Sequence, residues 1–169
     1  MDCSFGDIVD YRKDPSLNHF ILVLGVDNAE KRILYAIITS RVYRAFERLC
    51  VFFNAHCLET NCYERKFHNN FKDRIEIQPV NLSDVFFLSK NIYSGTLCED
   101  SMVILNRDPY FEDFDAFDAL WKNHLINYAN KLTKEDMIRL YVHIRTSPYF
   151  SKCNLEIIEN SFKIAKGSL

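Results

Sequence analysis

The spacing of apolar and polar residues near the N-terminus predicts three consecutive β-strands. Gly6–Tyr11 is predicted to be a short first strand, and the polar stretch Lys13–Ser16 that follows it has the composition of a loop. Phe20–Val26 is a dense apolar run, which is typical of a buried strand. The polar turn Asp27–Lys31 separates this run from Arg32–Ile38, which we expect to pair back on it as a β-hairpin.

The pattern in the middle of the chain is less regular. Tyr43–Leu49 has a mixed period that leaves both a short helix and a fourth strand open. Arg74–Gln78 alternates between apolar and polar residues, which predicts a half-exposed strand that Pro79 ends. We expect Leu82–Tyr93 to be an ordered loop with room for one helical turn. Asp100–Leu105 is predicted to be the last strand.

The period becomes helical from Phe114 onward, and three helices are predicted. Thr133, followed three residues later by Asp136, predicts the N-terminus of the second helix. Asn154 is the expected N-cap of the third helix, which should end at Gly167. The first helix should carry its apolar residues on one face: Phe117, Leu120, Trp121, Leu125 and Tyr128.

Composition favours one folded domain. Hydrophobic residues make up 48% of the 169-residue chain and aromatic residues 14%, which is far more than a disordered segment carries. Only four glycines and four prolines are present, so long elements are favoured over a many-turned sandwich. We therefore predict a single α+β domain over residues 1–169, with a strand-rich part at 1–108 and a helical extension at 109–169 packed on it.

Charge and localisation signals narrow the possible partners. The net charge of −2 supplies no global field for a polyanion, so any RNA contact needs a local basic patch. Glu99–Asp118 is strongly acidic and should repel phosphate. Met1–Ser4 does not begin a signal peptide, and no apolar run is long enough to span a membrane. We expect a cytoplasmic protein without a membrane partner.

The cysteines and acidic residues do not predict a metal site. The six cysteines lack a disulfide framework and are interpreted mainly as free thiols. No CxxC pair exists in the cluster of cysteines and histidines between residues 50 and 68, and its intervals match no common zinc spacing. Four acids near the first predicted helix are better explained by favourable electrostatics at a helix start than by metal binding: Glu112, Asp113, Asp115 and Asp118.

Several segments together resemble the MazF/PemK and ToxN toxins. Gly6–Val9, Phe20–Leu24 and Leu34–Ser40 follow one another in the order of the first three strands of that superfamily, the third of which ends in a Thr-Ser or Thr-Thr pair. Ser94–Leu105 is similar to the Gly-Leu-x-x-Asp-Ser-Val-Val segment before the last strand of MazF/PemK proteins. Asn154–Phe162 resembles the closing helix of ToxN-like toxins. The resemblance covers about half of the chain.

The resemblance implies a fold and an activity. The expected fold is an SH3-like small antiparallel β-barrel with inserted loops and a C-terminal helical tail. The expected activity is metal-independent cleavage of single-stranded RNA, without a cofactor, to 2′,3′-cyclic phosphate and 5′-hydroxyl ends. A toxin of this kind, with a role such as phage defence, has a cognate antitoxin of RNA or protein as its partner, and it can form a homo-oligomer.

One position departs from the family pattern. Where these toxins carry a catalytic Arg or Lys before the second strand, this chain has Asn18 and His19. We predict that His19 acts as acid or base, because histidine exchanges protons near neutral pH, and that the hydroxyls of Thr39 and Ser40 hold the phosphate. The alternatives are that residues of the preceding loop reach in, or that cleavage is lost and binding kept.

The predicted RNA contacts are basic and aromatic residues close to these strands. Such mixtures hold single strands by phosphate pairing and base stacking. A plainer interpretation is that they form a solvated surface, and that Thr39 and Ser40 simply end a strand. A non-catalytic binding module and an adaptor with incidental likeness to the toxins are the rival functions. The predicted RNA-binding residues are Arg12, Lys13, Arg41, Tyr43 and Arg44.

Overall fold

A computed structural model describes residues 3–12, 19–40, 62–64, 79–81, 85–105 and 107–167. Within these residues the chain has an α+β fold with one seven-stranded antiparallel sheet, a separate pair of strands and three helices. In chain order the elements are β1 (Asp7–Tyr11), β2 (His19–Asp27), β3 (Arg32–Thr39), β4 (Cys62–Glu64), β5 (Pro79–Asn81), β6 (Val85–Leu88), β7 (Ser101–Ile104), β8 (Tyr110–Asp113), α1 (Phe114–Lys122), β9 (Ile126–Lys131), α2 (Lys134–Thr146) and α3 (Lys152–Gly167).

The main sheet is built around the first three strands. Its order is β6-β7-β3-β2-β1-β9, and β8 also pairs with β3. β7 pairs with the end of β3 at Ile38 and Thr39, whereas β8 pairs with its beginning, over Arg32–Tyr35. Among the described residues this path does not close on itself. β4 and β5 form the separate pair.

The two faces of the sheet pack against different helices. One face and the helices α2 and α3 form the larger apolar core, which includes Leu22, Leu34 and Ile158. The opposite face packs against α1 through a smaller cluster that includes Ile21 and Phe117. The alternation of side chains along each strand explains this division, because neighbouring residues point to opposite faces.

Helix α3 lies close to β2 at a β-bulge. The pairing register of β2 and β3 shifts between Val23 and Gly25. A Cβ atom at Gly25 would lie 3.2 Å from Ile157 Cγ2, so the glycine lets the helix approach the strand. The Val26 amide donates a hydrogen bond of 2.9 Å to Ser161 Oγ, which fixes the helix at the same place.

Several sequence predictions are confirmed. β1 and the β2–β3 hairpin lie where the apolar runs predicted them, and β7 lies within Asp100–Leu105. Thr133 caps α2, since its Oγ1 accepts a hydrogen bond from the Asp136 amide at 3.2 Å. α3 ends at Gly167 as expected.

Other element predictions are wrong. Leu82–Tyr93 was expected to be a loop but contains β6, and Asp100–Leu105 is not the last strand, because β8 and β9 follow it. The first helix stops at Lys122 and does not include Leu125 or Tyr128. His124 has a φ of 56°, a left-handed conformation that cannot continue a right-handed helix.

The start of the third helix also differs from the prediction. α3 begins at Lys152, so Asn154 lies inside the helix and is not its cap. Ser151, directly before the helix, accepts a hydrogen bond from the Asn154 amide through Oγ at 3.3 Å. Tyr43–Leu49 and Arg74–Gln78 lie outside the described residues, and Pro79, expected to end a strand, is the first residue of β5.

Candidate functional site

Strand pairing places His19 and Thr39 at the same level of the sheet. Tyr11 of β1 pairs directly with His19 of β2, and the next residue of β2, Phe20, pairs with Ile38 of β3. The next position along these two strands is occupied by His19 on β2 and by Thr39 on β3. Direct partners in an antiparallel sheet share a face, and alternation puts Thr39 on the face of the smaller cluster. His19 and Thr39 therefore lie together on the α1 face.

Thr39 and Ser40 lie where β3 ends. Both residues are partly exposed, and Thr39 pairs with Met102 of β7. Their position at the end of a strand beside His19 is the one that the sequence predicted for hydroxyls at a site.

Arg12 directly follows Tyr11 in the sequence, but its guanidinium forms an ion pair with Asp10. Its Nη2 lies 2.5 Å from Asp10 Oδ2 and its Nε donates to the same oxygen at 2.8 Å. This hydrogen bond raises the pKa of the guanidinium further above its ordinary value. The other four predicted RNA contacts lie outside the described residues: Lys13, Arg41, Tyr43 and Arg44.

Three tyrosines, Tyr11, Tyr35 and Tyr110, occupy the same face. Together with Glu112 and Arg107, which are hydrogen-bonded to two of them, they form what we call the tyrosine cluster. The rings of Tyr11 and Tyr35 have centroids 5.9 Å apart, and Tyr35 stacks on Tyr110 at 5.7 Å with an interplanar angle of 21°. Tyr11 Oη donates to Glu112 Oε2 at 2.8 Å. Arg107 Nη1 donates to Tyr110 Oη at 2.7 Å. The cluster joins β1, β3 and β8.

Two phenols of the tyrosine cluster, those of Tyr11 and Tyr35, are held in the protonated form. Burial raises the pKa of Tyr11 well above its ordinary value, and the hydrogen bond to Glu112 raises it further. Burial also raises the pKa of Tyr35, and the nearby charge of Glu112 acts in the same direction. Both effects disfavour a phenolate, so these hydroxyls remain hydrogen-bond donors at neutral pH.

This arrangement combines several functional groups on one face. His19 can exchange a proton, Thr39 and the phenols carry hydroxyl donors, and Glu112 is a carboxylate acceptor. The aromatic rings offer flat surfaces of the kind that nucleic-acid bases stack on. The face is therefore chemically suited to bind a polar aromatic ligand and to move a proton on it.

The sequence prediction missed the tyrosine cluster. Tyr35 lies in a predicted strand, in which alternation puts it on the same face as Ile33 and Ile37. Tyr110 and Glu112 also share a face, but they were assigned to the helical extension and to a helix start. Tyr110 pairs with Tyr35 and Glu112 pairs with Ile33, but both pairs depend on β8, a strand that was not predicted. Tyr110–Asp113 is only four residues long, and its sequence Tyr-Phe-Glu-Asp does not alternate between apolar and polar residues, so it carried no local strand signal.

The described residues contain neither a metal-binding cluster nor a membrane-spanning helix. No group of three or more His, Cys, Asp or Glu residues in this part of the chain is arranged to hold a metal ion. No helix there has both the length and the apolar character required to span a membrane.

Comparison of the chain with family models, with curated proteins and with solved structures found no match in any of the three. The functional assignment therefore depends on the site itself and on the resemblance in sequence.

Proposed function

We propose that this protein is a toxin-type, metal-independent endoribonuclease that cleaves single-stranded RNA to 2′,3′-cyclic phosphate and 5′-hydroxyl ends. The observation that carries the proposal is the strand pairing around His19. His19 pairs with Tyr11 on β1, and the residue after it, Phe20, pairs with Ile38 on β3. This pairing brings a histidine, a strand-end hydroxyl and the tyrosine cluster to one face.

The proposed reaction uses the groups on this face. A base takes the proton of the ribose 2′-hydroxyl while the 2′-oxygen bonds to phosphorus, and an acid protonates the 5′-oxygen as its bond to phosphorus breaks. His19 supplies one of these functions, and Glu112, a carboxylate on this face, supplies the other. The Thr39 hydroxyl on this face, and the Ser40 hydroxyl directly after the end of β3, donate to the phosphate oxygens, where negative charge develops.

The proposal includes the fold and setting that the resemblance implies. The segments that resemble the toxins correspond to β1, β2, β3 and β7, and these strands are neighbours in the sheet. This adjacency supports the proposed SH3-like small barrel. A cognate antitoxin, a cytoplasmic location and self-association belong to the same proposal.

A specific observation favours a second candidate, a non-catalytic RNA-binding module. Arg12 is held by Asp10, and the position of the family's catalytic cation is occupied by Asn18 and His19. A barrel without that cation keeps its aromatic surface and loses a donor for the phosphorane charge.

A cleavage assay separates the two candidates. Purified protein is incubated with end-labelled single-stranded RNA in the presence of EDTA, and the product ends are identified by their reaction with kinase and phosphatase. Products with 5′-hydroxyl and 2′,3′-cyclic phosphate ends support the toxin, and binding without cleavage supports the module. In a bacterial host, we expect the wild type to arrest growth and Thr39→Ala to relieve the arrest. Equal toxicity of the variant would remove Thr39 from the site.

A further inference from the structure

Tyr110 is the most accessible ring of the tyrosine cluster. Tyr35 stacks against it at 5.7 Å, and 37% of Tyr110 remains exposed to solvent. Arg107 lies at its hydroxyl end, because the guanidinium donates to Tyr110 Oη at 2.7 Å and its central carbon is 5.5 Å from the ring centroid. An aromatic ring that is stacked on one neighbour and still partly exposed to solvent is suited to receive another flat ring.

Arg107 differs from the other arginine that approaches a ring of β8. Arg32 lies 5.5 Å from the Phe111 centroid, but it also forms an ion pair with Asp27 at 3.0 Å. Within the described residues, Arg107 forms no ion pair. Its guanidinium, held at the Tyr110 hydroxyl, lies beside a ligand that stacks on Tyr110.

The surrounding charges favour a base over a phosphate as the group that is bound. Asp108 accepts hydrogen bonds from the Ser151 amide and from Asn154 Nδ2, and Glu112 accepts one from Tyr11. These acidic side chains disfavour a phosphate that approaches closely. Stacking has no such penalty, since every nucleobase presents a π-face.

We propose that Tyr110, supported by Tyr35 and flanked by Arg107, is a stacking site for one base of single-stranded RNA. This proposal rests on the proposed function, for which it names a surface that holds a base on the same face as His19 and Thr39, four positions along β3 from Thr39. Tyr110 supplies the ring, and Arg107 supplies one cation for a neighbouring phosphate. Binding is consequently dominated by the base and depends only weakly on salt.

The test uses a short fluorescein-labelled 2′-O-methyl RNA, which cannot be cleaved, and an abasic version of the same strand. Fluorescence anisotropy should show that the wild type binds the base-bearing strand more tightly than the abasic one. Tyr110→Ala should weaken binding on the order of 10-fold to 100-fold, because stacking on one aromatic side chain is lost. Tyr110→Phe should retain binding, and Arg107→Gln should reduce the salt slope by about 0.7.

Phe111→Ala is the matched control. Phe111 is 63% exposed and is the neighbour of Tyr110 on β8, but it lies on the opposite face. It should leave binding unchanged. Equal losses in Tyr110→Ala and Phe111→Ala, equal binding of the abasic strand, or no binding by the wild type would overturn the stacking site.

A parallel assay with unmodified RNA keeps the two proposals apart. Cleavage by the wild type, with identical kinetics for Tyr110→Ala and Phe111→Ala, would leave the nuclease standing and remove the stacking site. Base-dependent binding through Tyr110 without any cleavage would do the reverse. If both proposals are correct, Tyr110→Ala should raise KM and leave kcat nearly unchanged.

Discussion

A buried carboxylate sets the position of helix α2. Asp136 is 4% exposed, and Tyr93, which is 1% exposed, donates to its Oδ2 at 2.5 Å. Arg139 Nη1 contacts the other oxygen, Oδ1, at 2.9 Å. The Thr133 amide donates to Tyr93 Oη at 3.3 Å, so one phenol joins the segment before β7 to the first turn of the helix. These bonds compensate for the burial of a charge.

Tyr93→Phe should destabilise the protein by about 1.5–3 kcal/mol, since it removes a hydrogen bond to a buried charged group. Urea denaturation measures the change in the free energy of unfolding. Tyr149→Phe is the control, because Tyr149 is 42% exposed and its change should cost less than about 0.5 kcal/mol. Equal stability of the two variants would show that the Tyr93–Asp136 bond contributes nothing.

The sequence predicted only one side of this contact. The Thr133 cap was recognisable because a threonine three residues before an acid is a local signal. Tyr93 lay in a segment predicted to be a loop, and its partner is 43 positions away. No local pattern identifies a partner at that separation. The same reason explains why the Tyr11–Glu112 bond was not predicted, although both residues were visible in the sequence.

Long apolar strands were predicted well, whereas short or polar strands were not; β6 is apolar but only four residues long. β2 and β3 are confirmed because they are dense apolar runs joined by a polar turn. β9 contains Asn127, Asn130 and Lys131 and lies at a sheet edge, where a strand needs few apolar residues. Leu125 and Tyr128 happen to fit a helical period, but α1 ends before them.

The contact of α3 with β2 gives a prediction at the scale of elements. Gly25→Ala should cost about 1–3 kcal/mol, because its new methyl group would lie 3.2 Å from Ile157 Cγ2 and 3.5 Å from Ser161 Oγ in a packed core. The measurement is again the free energy of unfolding from urea denaturation.

Gly167→Ala is the control for Gly25→Ala. No atom lies within 4 Å of a Cβ at Gly167, which is the last residue of α3, so this variant should not lose stability. If Gly25→Ala were as stable as Gly167→Ala, α3 would not pack tightly on the bulge of β2.

At the scale of the whole molecule, the tyrosines predict a loss of stability at alkaline pH. Burial, as the largest cause, raises the pKa of Tyr11, Tyr35 and Tyr93 above the ordinary value of 10.0. The unfolded chain therefore releases these protons first as pH rises. The stabilisation is complete below about pH 10 and is lost as pH rises from there through the folded pKa values.

Urea denaturation between about pH 9 and about pH 11 should show this loss. Each such tyrosine contributes a fall of up to about 1.4 kcal/mol per pH unit, and less where the ring is partly exposed to solvent. Tyr93→Phe should reduce the slope, whereas Tyr149→Phe should change it less. A slope that is the same in wild type and Tyr93→Phe would contradict the assignment.

Cleavage of RNA at the face that carries His19 is tested by comparing the activities of two histidine variants with that of the wild type. kcat/KM for a single-stranded RNA is measured for the wild type, His19→Asn and His124→Asn. His124 is an exposed residue with a φ of 56°, which asparagine also tolerates. We predict that His19→Asn loses on the order of 10²-fold to 10⁴-fold, the contribution of a general acid or base, and that His124→Asn retains wild-type activity. Full activity in His19→Asn, or no cleavage by the wild type, would contradict the account.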